Sequence, residues 1–208
     1  GRLGRTFCSP EGSGLYMSIL LRPTLSLEKF NFLTIAAAVA VCRAIKACCG
    51  LEPQIKWVND VLLQGRKLCG ILTEAAIEGE TGAIDYAVVG IGVNLRLDGV
   101  ELPEDVRAVA GALADFTDQP PRRAVLAAAI LEQLEAVYLS LRDGKTDTVL
   151  QAYREHLCYI GQRIRVLAPS GAYEAVCRGV NEAGNLLVER EDGTAETLQS
   201  GEISTRLV

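Results

Sequence analysis

The sequence predicts an α+β fold in which a mixed β-sheet flanked by helices is followed by a small β-barrel of SH3-like size. Two observations predict the first part: residues 14–21 and 83–92 have the alternating or wholly apolar patterns of strands, and long segments between and after them have helical apolar spacing. The third is a change near residue 160, after which short alternating segments are separated by turn residues.

The first strand is predicted at residues 14–21, and Pro23 ends it. Apolar residues then recur every three or four positions as far as Cys49. This spacing predicts one long helix, with Ser26 as its N-cap and Gly50 as its C-cap.

Three further strands are predicted after this helix. A short strand at residues 54–58 is followed by a hairpin that turns at Gly65-Arg66. A second turn at residues 78–82 leads to an apolar central strand at residues 83–92.

The rest of the first part is predicted to be helical. The helices are expected at residues 104–113, 122–141 and 146–157, with a break at residues 118–121. The core-facing stripe of the second helix is predicted to comprise Val125, Ala128, Ile130 or Leu131, Leu134, and Val137 or Tyr138. Together with the barrel pattern, this divides the chain into a catalytic domain of residues 1–158 and a barrel of residues 159–208.

Composition excludes several classes of function. The net charge of −5 and the lack of a basic tract argue against nucleic-acid binding, and no uncharged apolar run is long enough for a membrane helix. With seven cysteines, no C-x-x-C pair and His156 as the only histidine, a zinc site or a histidine-based nucleophile is not expected. We expect reduced, structural thiols and a cytoplasmic protein.

Lys56 is the first candidate for chemistry. It follows an apolar strand and precedes the polar pair Asn59-Asp60. A lysine in such a place keeps its charge when an anion partners it. The alternative is a surface lysine beside Trp57, with Asn59-Asp60 as an ordinary turn.

Two glycine-containing segments are the other candidates. In Gly90-x-Gly92-x-Asn94 the glycines allow close approach of a ligand or merely of a neighbouring element, and the segment is not a dinucleotide-binding fingerprint. Residues 1–5 offer two arginines on a glycine-rich backbone, which suits phosphate; the alternative is a disordered terminus.

The combination of motifs is more specific than its parts. In order, the chain contains G-R-x-G-R-x-F-x-S-P-x-G-x-G-L-Y-x-S-x-x-L-R-P, K-W-x-N-D, G-R-K-x-x-G-I-L-x-E, G-I-G-x-N-L and S-G-E-I-S-x-R. This set resembles the biotin protein ligase family over nearly the whole chain. The resemblance implies a class II synthetase-like catalytic fold followed by an SH3-like barrel.

The resemblance also implies an activity. Members activate biotin with MgATP as biotinyl-5′-AMP and then transfer the biotinyl group to a lysine of the biotin carboxyl carrier protein of a biotin-dependent carboxylase. ATP, biotin and Mg²⁺ are the implied ligands. Mg²⁺ is expected to enter with ATP, and Asn59 and Asp60 are expected to hold their turn and to assist either magnesium or the acceptor lysine. A homodimer is expected, and neither nucleic acid nor membrane is an expected partner.

Residue roles follow from the same resemblance. Lys56 matches the lysine that contacts the biotin carboxylate and the α-phosphate, and Arg2 matches the loop arginine that retains the adenylate. The other residues implied in biotin or nucleotide binding are Gly1, Arg5, Phe7, Trp57, Asn59, Asp60, Gly70, Ile71, Gly90, Gly92, Asn94, Glu202 and Arg206.

Two departures from the family pattern have consequences. Val58 replaces the proline of K-W-P-N-D, which predicts a less rigid turn. The family stretch that precedes Gly1 and binds the biotin ureido ring is missing, so weak or absent activity is expected for these residues alone. A lipoate–protein ligase and an inactive or regulatory truncated relative remain as alternatives.

Overall fold

The computed structural model describes residues 9–168 and 171–199, and the backbone of residues 204–207. It confirms the predicted α+β class, with a first sheet of five antiparallel strands in the order β1-β5-β4-β3-β2. Within the described residues, parallel pairing occurs as isolated bridges. The strands are β1 (Gly14–Leu21), β2 (Gln54–Lys56), β3 (Asp60–Leu63), β4 (Arg66–Ile77) and β5 (Ile84–Asn94).

Three of the four described α-helices, the first, third and fourth, cover one face of this sheet. The described helices are α1 (Asn31–Cys49), α2 (Glu104–Arg107), α3 (Arg123–Arg142) and α4 (Thr146–His156). Helix α1 packs on β4 and β5 and also on α3 and α4, which explains why it is apolar nearly all round.

Helices α1 and α3 are long and apolar enough to cross a membrane by length and composition alone. In the fold they pack against each other, and α1 lies in the common core with the sheet. The core helix of a soluble protein has the same composition, so the expectation of no membrane partner stays a prediction.

Two helix boundaries were predicted wrongly. Helix α1 begins at Asn31, because Ser26 starts a separate turn in which Lys29 N–H donates to the Ser26 carbonyl at 2.9 Å. Helix α2 ends at Arg107 rather than near Leu113, because the following segment pairs with β4: the Gly111 N–H donates to the Lys67 carbonyl at 2.9 Å. Tertiary pairing overrides the local helical preference here.

The predicted core stripe of α3 was half right. Ile130, Leu134 and Val137 are buried as predicted, but Val125 and Leu131 are each 45% exposed. The other buried side chains of this helix are Leu126 and Leu141. Apolar residues of α3 lie on more than one face of the helix, so its sequence is compatible with either of two adjacent buried faces. The packing of α3 on α1 determines which face is buried.

The hairpin between β3 and β4 turns at Gln64-Gly65 instead of Gly65-Arg66. Both turn residues have positive φ, 49° and 78°, as the tight two-residue hairpin turn requires. The ladder then shifts register between Val61 and Leu62. This bulge decides which residues face each other further along the sheet.

A second sheet follows α4. It has five strands in the order β10-β6-β7-β8-β9, which confirms the predicted small all-β unit. The division of the chain into domains at residue 158 stays a prediction. The strands are β6 (Arg163–Ala168), β7 (Gly171–Val180), β8 (Leu186–Arg190), β9 (Ala195–Leu198) and β10 (Ser204–Leu207).

The turn between β7 and β8 packs against helix α1 and against the turn that follows β2. Gly184 has φ +75°, and a Cβ added there would lie 2.5 Å from Cδ1 of Ile35, which is fully buried on α1. Its carbonyl accepts a hydrogen bond from Nε1 of Trp57 at 3.0 Å. Glycine therefore serves both the turn and the close approach.

We expect Gly184→Ala to destabilise the chain more than Gly193→Ala. Gly193 has φ +83° but open space around the missing Cβ, so alanine there costs only the left-handed backbone, about 1–2 kcal/mol. At Gly184 the clash with Ile35 adds about 1–3 kcal/mol. Urea unfolding of both variants measures the difference, and equal losses would show that this turn is not in tight contact with Ile35 of α1.

Candidate functional site

A row of residues runs straight across the first sheet. Lys56 faces Asp60, Asp60 faces Gly70, Gly70 faces Gly92, and Gly92 faces Tyr16. Neighbouring strands lie about 4.8 Å apart, so this row extends over about 19 Å. The two glycines leave the centre of the row without side chains. One end of the row is charged, with Lys56 and Asp60, and the other end is aromatic, with Tyr16.

The row lies on the sheet face away from the helices. Side chains alternate along a strand, and Val89, Ile91 and Val93 of β5 are buried in the core. Gly90 and Gly92 therefore belong to the opposite face. Gly90 lies between Ser18 and Leu72 in the next row, so the glycine floor continues along the sheet.

Ile71 does not lie on this face. Its neighbour Thr73, two residues further along β4, accepts a hydrogen bond from Thr34 of α1 at 2.9 Å, and Ile71 itself is 2% exposed. The Ile71 side chain therefore faces the helices, and the role in biotin binding that the resemblance implies for this residue stays a prediction. Leu72, the next residue of β4, has its side chain on the sheet face away from the helices, which we call the open face. The alternation of side chains along a strand predicts this placement.

Asp60 holds two lysines at the charged end of the row. Its Oδ2 lies 3.2 Å from Nζ of Lys56, and its Oδ1 pairs with Nζ of Lys67. The side chains of Lys56 and Asp60 are 20% and 16% exposed, and that of Lys67 is 39% exposed. This partly desolvated cluster has a formal charge of +1, so it can accept an anion.

Lys67 is a functional candidate that the sequence reasoning missed. It lies in the G-R-K-x-x-G motif that carries the resemblance, but no role was assigned to it. The hairpin brings it to Asp60, with which Lys56 also pairs. The Lys67 carbonyl lies 3.4 Å from Nδ2 of Asn94, so the lysine also adjoins the end of β5.

Both predicted asparagines bind backbone. Nδ2 of Asn59 donates to the Ile71 carbonyl at 2.6 Å, and the Ile71 N–H donates to the Asn59 carbonyl at 3.1 Å. Nδ2 of Asn94 donates to the Gly111 carbonyl at 2.9 Å. Asn59 therefore fixes the turn that carries Asp60, and Asn94 fixes the segment that follows the loop after β5.

Trp57 is 6% exposed and its indole N–H is already bonded to Gly184. It packs within the core between the two sheets, so its predicted role in ligand binding stays a prediction. The peptide bond between Trp57 and Val58 is cis, at the position where the family pattern has proline.

Two buried thiols lie near the lysines without being nucleophiles. Burial raises the pKa of Cys158 to about 12 although Lys56 opposes the shift, and burial raises the pKa of Cys69 to about 12 although Lys67 opposes it. Both remain neutral at physiological pH. The cysteines of the described residues are free, as the predicted reduced thiols require.

A cavity of about 440 Å³ adjoins the Lys67 end of the hairpin. Arg66 lines it and pairs with Asp115 at 2.9 Å. The loop at residues 97–102, Arg107 and Ala110 complete most of its wall. Its lining contains arginine and carboxylate side chains, so it suits a polar ligand.

Several predicted site residues are not placed. Gly1, Arg2, Arg5, Phe7 and Glu202 lie outside the described residues. Arg206 belongs to β10, where its backbone faces Arg165 of β6, and its side chain also lies outside the described part. The roles assigned to these residues stay predictions.

Two family models match the chain. The Biotin/lipoate A/B protein ligase family matches residues 1–94. The Biotin protein ligase C terminal domain matches residues 159–206. The first match contains the row of strand residues described above, and together the two matches cover more than half of the chain.

Curated relatives and a solved structure agree with these matches. The bifunctional ligase/repressor BirA of Bacillus spizizenii is 32% identical over 193 residues, which is 93% of this chain and 59% of the relative. The biotin–[acetyl-CoA-carboxylase] ligase of Mycobacterium tuberculosis is 29% identical over 91% of this chain and 68% of its own length. The chain thus spans about three fifths of the first of these relatives.

This chain aligns with a larger share of a solved structure than of these curated relatives. A biotin protein ligase from Aquifex aeolicus, solved in complex with biotin and ATP, superposes with a TM-score of 0.84 at 28% identity. The alignment covers 100% of this chain and 84% of that chain.

Proposed function

Because this chain belongs to the biotin protein ligase family, we propose that it joins biotin to a lysine of a biotin carboxyl carrier protein at the expense of ATP. In the first step the biotin carboxylate attacks the α-phosphorus of MgATP, and the bond to the bridging oxygen breaks to release pyrophosphate. In the second, the acceptor amine attacks the carbonyl of biotinyl-5′-AMP, AMP leaves, and the amine loses a proton.

The observation that carries this proposal is the pair of lysines on Asp60 beside the glycine floor. Both reactants of the first step are anions, and their approach needs positive charge held in place before the reaction. The cluster supplies a net positive charge from partly desolvated groups, and the glycines leave room for an extended ligand along the sheet. Neither step requires a histidine base.

We infer that Lys67 shares the role assigned to Lys56. Lys67 is the more exposed of the two, at 39% against 20%, so it is better placed to meet an entering anion. Lys56 is more buried. Because it offsets the negative charge of Asp60, the charge of Lys67 remains available to stabilise the same anion. Arg2 and Arg5 remain the proposed loop residues that retain the adenylate.

Mg²⁺ enters the proposed reaction as part of MgATP. Among the described residues, no cluster of three or more histidine, cysteine, aspartate or glutamate side chains is arranged to hold a metal ion. Asp60 is already committed to its two lysines. Magnesium commonly binds proteins through few carboxylates and the phosphates of its substrate, which fits this arrangement.

The proposal extends to the surroundings of the enzyme. The acceptor is a biotin carboxyl carrier protein of a biotin-dependent carboxylase, and the free thiols of the described residues suit a cytoplasmic location. A homodimer remains our expectation for the assembly. The second sheet is proposed as the separate C-terminal domain that begins near residue 159.

Activity is expected to be weak for these residues alone, so the test uses high concentrations of this chain and of biotin. Under these conditions we expect a carrier protein incubated with the chain, MgATP and biotin to gain the mass of one biotinyl group. Omission of ATP is the control, because the uphill formation of the amide depends on it. Lipoate offered in equal concentration should neither label the carrier nor reduce biotin labelling. Preferential labelling by lipoate would replace the biotin proposal with the lipoate one. No labelling with either acid, even at high concentrations of the chain and of the acid, would favour a regulatory or inactive protein.

A further inference from the structure

The turn at residues 57–59 determines where the charged end of the row lies. Lys56 ends β2 immediately before the turn, and Asp60 begins β3 immediately after it. Any movement of the turn therefore displaces both groups together, and with them Lys67, which pairs with Asp60. The elements that hold this turn are the elements that set the geometry of the candidate site.

We propose that Tyr153 of α4 is a positioning residue, whose hydroxyl fixes the turn and thereby the Lys56–Asp60–Lys67 cluster; this role in catalysis depends on the function proposed above. Tyr153 is fully buried, and its hydroxyl donates to the Val58 carbonyl at 3.1 Å. Val58 is the middle residue of the turn and is 6% exposed. A buried carbonyl that loses its donor is strongly disfavoured, so this bond constrains the backbone at the turn.

The turn is held from three directions. On one side of Val58, the Trp57 indole donates to Gly184 of the second sheet. On the other side, Asn59 bonds reciprocally with the backbone of Ile71. Tyr153 supplies the contact from the helical layer, so each consecutive residue of the turn has its own anchor.

Helix α4 is a rigid support for this contact. It packs on both α1 and α3. Where the chain leaves α4, the Cys158 N–H donates to the Ile55 carbonyl at 2.9 Å, and Leu157 forms a parallel bridge with Ile55. The helix end is thus bonded to the strand that carries Lys56, and Tyr153 extends this connection to the turn itself.

The hydroxyl remains a donor over the whole working range of pH. Burial raises the pKa of Tyr153 well above its usual value, and the neighbouring Cys158 and Cys42 thiols add to the shift. The phenol is therefore neutral and keeps its proton. A displacement of about 1 Å in a catalytic group is enough to reduce turnover by up to about 100-fold, so the bond has a measurable consequence.

The test compares Tyr153→Phe with Tyr138→Phe. Tyr138 lies on α3 and its hydroxyl lies 3.4 Å from the exposed Arg22 carbonyl, so its removal controls for the loss of a tyrosine hydroxyl elsewhere. Trp57 is the chain's single tryptophan and precedes Val58 directly. Its fluorescence therefore reports on the turn without any ligand.

We expect acrylamide to quench Trp57 at least twofold more efficiently in Tyr153→Phe than in the parent chain or Tyr138→Phe, at a temperature where circular dichroism shows all three folded. The kcat of adenylate formation should fall about tenfold while the KM values for biotin and ATP change less than about threefold. Unchanged quenching, or a loss of activity that only follows the unfolded fraction, would overturn the inference. If the parent chain forms no adenylate, the proposed function fails, but the quenching ratio still decides whether Tyr153 fixes the turn.

Discussion

Replacing Lys67 by alanine is expected to reduce the rate of adenylate formation by about 10²- to 10³-fold. The first step brings a carboxylate to a phosphate, and the lysine pair on Asp60 is the positive charge that the described site offers to both. Removal of Lys67 leaves Lys56 and Asp60 as a neutral pair. The site then has no net charge with which to stabilise the developing anion.

Pyrophosphate release at saturating MgATP and biotin measures this loss. Lys46→Ala is the matched control, because Lys46 also pairs with a carboxylate, that of Glu52 at 2.6 Å, but is exposed at the end of α1. Lys56→Ala should behave like Lys67→Ala if the two act as one cluster. A Lys67→Ala protein with the turnover of the parent chain would remove Lys67 from the reaction.

The register of the hairpin explains why Lys67 could not be assigned from the sequence. At the turn Leu63 faces Arg66 and Leu62 faces Lys67, so an unbroken ladder would place Asp60 opposite Cys69. The bulge between Val61 and Leu62 shifts the pairing by one, and Asp60 faces Gly70 instead. The row of facing residues exists only because of this shift, and nothing in the local sequence specifies it.

Some residues of the candidate site carry a local signal. Gly70 and Gly92 interrupt apolar strands, and Lys56 and Asn94 each end a strand, which makes them candidates. Their assignment to biotin or nucleotide binding came from the resemblance to the family and stays a prediction. The double ion pair of Asp60 was not predictable, because it joins residues on three strands whose pairing is a tertiary property.

The same distinction holds for the fold. Strand β1 and the Gly50 end of α1 were predicted correctly, since alternation and a C-terminal glycine are local signals. Helix α2 was predicted too long because the segment after it bonds to Lys67 on a distant strand. The contacts of Trp57 with Gly184 and of Tyr153 with Val58 join residues 127 and 95 positions apart, beyond the reach of periodicity.

Gly90→Val is expected to raise the KM for biotin by about 10- to 100-fold while leaving the fold intact. A Cβ at this position would lie 3.5 Å from the Leu72 carbonyl, an ordinary contact, and valine is favoured in strands. Its methyl groups, however, would stand on the open face between Ser18 and Leu72, beside the glycine row over which we propose the ligand lies.

Gly79→Val controls for the same substitution where a Cβ has open space, in the turn between β4 and β5. The test compares the affinity for biotin and the stability of Gly90→Val with those of the parent chain. If the open face holds the substrate, Gly90→Val should keep the free energy of unfolding in urea within about 1 kcal/mol of that of the parent chain and lose affinity for biotin, because the added methyl groups occupy the ligand's space without disturbing the core. An unchanged KM in a folded Gly90→Val protein would mean that the substrate lies elsewhere on the molecule, and the lysine cluster would then need another explanation.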